Sequence, residues 1–129
     1  MISKGNNKTA AEKRWHETVA EWAKESEWLE RKFERYCKSP GVFEIDHIIG
    51  AQAKRKPHGK VGEWAVIPLP YELHNVLAGG ELNRSLNPGA FRNECGHEKA
   101  LFASMIYFMK QDGIEIPFSD EILNAIVYG

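Results

Sequence analysis

Cysteine is scarce: Cys37 and Cys95 are the two in 129 residues. Two thiols with no C-x-x-C pairing cannot frame a disulfide scaffold, and both read as reduced. No apolar run approaches the roughly 20 residues needed to cross a bilayer. The opening M-I-S-K-G-N-N-K-T lacks the apolar core of a secretory signal, so a cytoplasmic protein is expected. A strong excess of either charge is also missing. With 17 basic and 18 acidic residues the net charge is −1, which argues against indiscriminate coating of nucleic acid. Internal repeats and low-complexity segments are absent. The composition, 43% hydrophobic and 27% charged, is that of a globular protein, and 129 residues suffice for one domain with one core.

Charge is nevertheless unevenly distributed. Residues 51–62 contain Lys54, Arg55, Lys56 and Lys60 and no acid, so this stretch carries +4 of a total of −1 and the remainder carries −5. Alone, such a stretch reads as a solvated loop. Its position gives it meaning, because it joins two apolar runs. The first, F-E-I-D-H-I-I-G from Phe43, holds Asp46 and His47. The second, Trp64 to Leu69, is rich in strand-forming residues, and Pro68 and Pro70 are expected to end it because proline cannot donate to a sheet ladder. A hairpin with an acid–histidine pair on one arm, a basic loop, and His74 just past the other arm points to metal-assisted chemistry on phosphate.

The rest of the chain reads as helical support. From Thr9 to Cys37, Trp15, Val19, Trp22, Leu29, Phe33 and Tyr36 recur at spacings of three, four and seven, with Ser26 the polar residue in the seam. One long helix is expected, opened by a capping box of Thr9 with Glu12. A single turn after Pro70, an irregular stretch from Asn75 to Gly89, and a short helix over Ala90–Cys95 closed by Gly96 follow. A firm helix spans His97 to Met109, and a last one is capped by Ser119. The expected domain is single: 1–8 flexible, 9–37 helical, 42–96 the hairpin core, 97–129 C-terminal helices. The fold class is α+β.

Asp46 beside His47 carries the chemistry. Asp46 offers a hard oxygen to Mg²⁺ or a share in Zn²⁺ binding, and His47 can take a proton from an attacking water. Neighbouring strand residues point to opposite faces, so the pair serves one site only at a strand end or bend. Taken alone, an Asp-His dipeptide is better explained by a turn cap and a half-buried polar residue. Glu63, opening the second arm, can orient His47 by accepting its other ring N–H. His58 lies in the basic loop and is suited to phosphate rather than metal. A zinc site of Cys37, Cys95 and His97 has only C-x-H in local spacing, a poor ligand pattern. His16 is expected on the surface of the long helix.

The order E-I-D-H-I-I-G, a basic linker, V-G-E-W-A-V-I-P-L-P-Y-E-L-H and A-F-R-N-E-C-G-H-E-K-A-L-F resembles the HNH (ββα-metal) endonucleases, most closely the phage Ref-type, RecA-dependent nucleases. The resemblance covers roughly residues 37–105, with its specific part at 43–74. It implies a β-hairpin and helix clasping one divalent cation, Mg or Zn. It also implies Asp46 and His74 as metal ligands, His47 as general base and Glu63 as the residue orienting it. The family's further histidine is absent after His74, where Ala78 stands one turn on, and Pro70 stands where a cysteine is frequent. Asn83 and Asn87 are the nearest polar candidates for a third ligand, with Asn83 taken first. Lys54, Arg55, Lys56, His58 and Lys60 are the expected DNA contacts. The implied function is metal-dependent hydrolysis of DNA in phage or prophage recombination inside a bacterial host, with DNA and a RecA-type filament as partners. The alternatives are a catalytically weak or inactive module of the same fold that binds DNA or protein, and a purely structural zinc held by Asp46, His74 and another residue.

Overall fold

The computed structural model describes residues 8–36, 42–48, 62–75, 77 and 79–128. Cys37 and the expected DNA contacts Lys54, Arg55, Lys56, His58 and Lys60 lie outside these residues. Helix α1, Ala10–Glu25, opens on the capping box read from the sequence. Thr9 Oγ1 accepts the Glu12 N–H at 3.0 Å, and the Glu12 carboxylate accepts the Thr9 N–H at 2.9 Å.

The single long helix expected through Cys37 is in fact two. Ser26 adopts an extended conformation (φ −76°, ψ 116°) that ends α1 and starts α2, Glu27–Phe33. Its hydroxyl oxygen accepts the Leu29 N–H at 3.2 Å, so an orphan donor of the new helix is satisfied inside the protein. Serine can compete for backbone hydrogen bonds in this way, which favours it at caps over helix interiors. The break redirects the chain so that Leu29 and Phe33 enter the same core as Trp15 and Val19. A 3₁₀ turn, Glu34–Tyr36, completes the segment.

Strands β1, Phe43–His47, and β2, Val66–Pro70, form a two-stranded antiparallel sheet in which Phe43 faces Pro70 and His47 faces Val66. Pro68 and Pro70 were expected to stop the second strand, yet both belong to it. Alternate residues of a strand direct their backbone N–H to the same side, so two prolines two apart place both missing donors on one edge. In a two-stranded sheet that edge has no ladder to lose. Every residue of β2 is buried, because α1 crosses one side of it and α5, Glu98–Gln111, packs on it as well.

After β2 comes one turn of helix, α3 (Tyr71–His74), and then the irregular stretch that was expected. Helix α4, Pro88–Cys95, starts with proline in its first turn and ends at Gly96, whose φ of 100° suits glycine. His97 caps α5 through Nδ1, which accepts the Lys99 N–H at 3.1 Å. Ser119 Oγ accepts the Ile122 N–H at 3.2 Å at the start of α6, Asp120–Tyr128. Phe118 joins the last two helices to the core, lying edge-on to Trp15 and near-parallel to Phe102, with centroids at 5.3 and 6.2 Å. The architecture is α+β, and no described helix is long and apolar enough to cross a membrane.

Candidate functional site

The end of β1 builds the site. Residues two apart on a strand share a face, so Glu44 and Asp46 point one way and His47 the other. Asp46 is buried, at 4% exposure, whereas the His47 side chain is 40% exposed. The structure therefore divides the acid–histidine pair between two neighbouring clusters.

On the His47 side, Nε2 lies 2.8 Å from Glu63 Oε1. The carboxylate that sequence reasoning assigned to His47 thus reaches it from just before β2. His16 of α1 stands behind the pair, its ring edge-on to that of His47 at 5.4 Å. It was expected on the surface but is 7% exposed. The reason is its place one residue after Trp15 on the face of α1 that covers the hairpin. Burial pushes the His16 imidazole below its ordinary 6.5, opposed by the hydrogen bond to the Glu63 carbonyl.

On the Asp46 side, His74 Nε2 lies 3.4 Å from Asp46 Oδ1, while His74 Nδ1 is 2.6 Å from Glu44 Oε1. One carboxylate thus turns the ring so that its other nitrogen faces the second carboxylate. The single turn of α3 makes this closure, returning His74 beside the strand it left. Arg84 completes the cluster. Its Nε donates to Asp46 Oδ2, Nη2 donates to Asp46 Oδ1 at 3.0 Å and to the His47 carbonyl at 3.1 Å, and Nη1 donates to Glu98 at 2.8 Å. Burial works against the Arg84 charge, but Asp46 and Glu98 outweigh it and hold the guanidinium above its ordinary value. Arg92 adds a two-pronged pair to Glu98 at 2.7 and 2.9 Å, which holds that carboxyl down at about 2.

Asn83, expected as a third metal ligand, is turned to another task. It is fully buried; Oδ1 accepts the N–H groups of Ser85 and Leu86 at 3.0 and 3.1 Å, and Nδ2 donates to the Asn75 carbonyl at 2.8 Å. These bonds tie Asn75 to Asn83 and brace the turn from Asn83 to Leu86 that carries Arg84. Asn87 is exposed and precedes α4. Cys95 is buried, with its thiol pushed up by that burial, and His97 uses Nδ1 as a helix cap; among the described residues the two form no ligand group, and Cys37, the third member of that expected zinc site, lies outside them.

No family model, curated protein or solved structure matches the chain. The site must be judged by its own chemistry. Among the described residues, His16, His47 and Glu63 form one group of donors, with ligand atoms within 4.8 Å of one another. His16 has no nitrogen to spare there, because Nε2 is 2.7 Å from the Glu63 carbonyl and Nδ1 is 3.2 Å from Lys8 Nζ. Asp46 and His74 are a second pair of donor groups, with Arg84 already on both Asp46 oxygens. Two ligands of one ion at about 2.1 Å stand about 3 to 3.5 Å apart, which is their spacing. Glu44 lies behind His74, in the place a carboxylate takes behind a histidine ligand.

Sequence reasoning missed Glu44, Arg84 and Glu98 as parts of the site. Glu44 had a readable signal, lying two before Asp46 on the same strand face. Arg84 had none, since its partners are 38 and 14 residues away.

Proposed function

We propose that the protein is a metal-dependent endonuclease of the ββα-metal (HNH) kind that hydrolyses DNA phosphodiesters in phage or prophage recombination. The observation that carries this reading is the His47–Glu63 contact at a hairpin end, with the Asp46–His74 pair beside it. Glu63 accepts the His47 Nε2–H, which leaves the Nδ1 lone pair to take a proton from water. The water oxygen then bonds to phosphorus as the bond to the leaving sugar oxygen breaks, and that oxygen takes up a proton. Asp46 and His74 would hold a divalent cation, which when bound neutralises charge on the phosphate and leaving oxygen. Lys54, Arg55, Lys56, His58 and Lys60 would grip the DNA backbone, contacts that position without reading sequence. A RecA-type filament is the proposed partner, and the bacterial cytoplasm the proposed compartment.

One observation favours a second reading, an inactive module of this fold that binds DNA or a protein. Arg84 already clasps both oxygens of Asp46, so a cation there must share the carboxylate with a guanidinium. A carboxylate has about four lone-pair sites, which lets Oδ1 serve both. Cleavage of plasmid and single-stranded DNA with Mg²⁺, Mn²⁺ or Zn²⁺, with and without a RecA-type filament, decides between them. The nuclease cuts with wild-type protein and falls by at least about a hundredfold in His47→Ala, a loss typical of a missing general base, with folding unchanged. A folded wild type that cuts under no condition overturns the nuclease and favours the binding module instead.

A further inference from the structure

We infer that Glu12 and His16 of α1 are positioning residues that clamp the backbone of Glu63 from both sides and thereby set the carboxylate that orients His47. Its catalytic consequence rests on the nuclease reading, whereas the clamp itself is a matter of hydrogen bonds. Glu12 Oε2 accepts the Glu63 N–H at 3.0 Å, and His16 Nε2 donates to the Glu63 carbonyl at 2.7 Å. Between them in the helix, Trp15 Nε1 donates to the carbonyl of the next residue, Trp64, at 3.0 Å. Three residues of one helix face thus hold three consecutive peptide units, 47 to 51 positions away in sequence.

The direction of each bond is determined by chemistry. An ammonium only donates, so Lys8 Nζ, 3.2 Å from His16 Nδ1, makes that nitrogen the acceptor and leaves the proton on Nε2, where the Glu63 carbonyl accepts it. Glu12 divides its carboxylate: Oε1 closes the capping box with Thr9 and Oε2 reaches Glu63. Glu12 and His16 are 8% and 7% exposed, so these bonds are sheltered from competing water.

Gly62 makes the approach feasible. Its φ is +42°, and a Cβ there would stand 2.5 Å from Glu12 Oε2, closer than such contacts occur. Any side chain at position 62 would push the Glu12 carboxylate off the Glu63 N–H. The helix cap, the glycine and the clamp are consequently one device. Glu63 lies just before β2, where the clamp fixes the backbone from which its carboxylate reaches His47.

The test reads the His47 tautomer by long-range ¹H–¹⁵N NMR, together with kcat and KM for cleavage, in wild type, His16→Leu, His16→Gln and Glu12→Gln. Wild type holds the proton of neutral His47 on Nε2. His16→Leu keeps the bulk and removes the donor. It should shift His47 toward a mixture of tautomers and lower kcat by about tenfold to a hundredfold, the scale of a small misplacement of a catalytic group, with KM within about twofold. Glutamine carries an N–H donor at nearly the Nε2 position, so His16→Gln should restore most of both. Glu12→Gln can keep the Thr9 bond or the Glu63 bond but not both, and should fall between. A folded His16→Leu with unchanged tautomer and kcat overturns the clamp, even if the wild type cuts DNA. A wild type that never cuts, with a tautomer that shifts in His16→Leu, sustains the clamp and overturns the nuclease reading.

Discussion

Replacing Glu98 by glutamine should make the protein less stable at neutral pH and, compared with wild type, less sensitive to acid. Glu98 sits in the first turn of α5 at 3% exposure, where its carboxylate receives Arg92 at 2.7 and 2.9 Å and Arg84 at 2.8 Å. The paired Arg92 guanidinium leads in lowering the carboxyl from 4.5 to about 2, against the opposing effect of burial. At about 1.4 kcal/mol per pH unit, that gap corresponds to about 3 kcal/mol of stability. Because the folded value lies below the unfolded one, this contribution is complete above pH 4.5 and is lost as pH falls toward 2. About 2 kcal/mol of it should be gone by pH 3, less where solvent screens the half-exposed Arg92. Glu98→Gln leaves two guanidinium groups without their shared carboxylate and should cost about 3 kcal/mol at pH 7. Urea unfolding followed by tryptophan fluorescence at pH 7, 4.5 and 3 measures both proteins, and their difference cancels the carboxylates they share. The expected difference shrinks from about 3 to about 1 kcal/mol between pH 7 and pH 3. A difference that does not change with pH refutes the assignment of the acid sensitivity to Glu98.

Ser26→Ala removes the cap between α1 and α2 and should destabilise by about 1 kcal/mol, read as a lower urea midpoint with the m-value unchanged. Phe102→Ala empties a site that is fully buried against Phe118, and a loss of about 3–5 kcal/mol is expected in the same experiment. His74→Ala should abolish binding of Mn²⁺ or Zn²⁺ measured by calorimetry. Glu44→Gln should weaken it by about tenfold to a hundredfold, the usual effect of a second carboxylate behind a histidine ligand. Equal affinities in all three proteins would move the cation away from Asp46 and His74.

Much of the scaffold was legible because it is local. Thr9 and Glu12 lie three apart and close their capping box within one turn. Gly96 ends α4 and Ser119 caps α6 through bonds that span at most four residues. Ser26 shows the limit of periodicity. A polar residue in an apolar seam is compatible with a continuous helix or with two, and only its conformation, with the hydroxyl turned back to Leu29, distinguishes them. Pro68 and Pro70 failed as strand breakers because the rule depends on which edge of a sheet is free, a property of the sheet and not of the residue.

Asp46, His47, Glu63 and His74 stood out in the sequence as a histidine-and-acid group around a hairpin, and their identity followed from residue type alone. Which of them meet was a different matter. Strand alternation separates Asp46 from His47, so the site became two clusters, one closed by Glu63 and His16 and the other by His74, Glu44 and Arg84. His16 and Arg84 carry no pattern that marks them, because their partners lie far off in sequence and were brought near by the crossing of α1 over the hairpin and by the loop that Asn83 holds. Chain order determined the helix caps, the apolar faces and the chemical groups at hand. Tertiary packing alone decided which charges were buried together, since the cost of burial binds a charge to whatever partner the fold supplies.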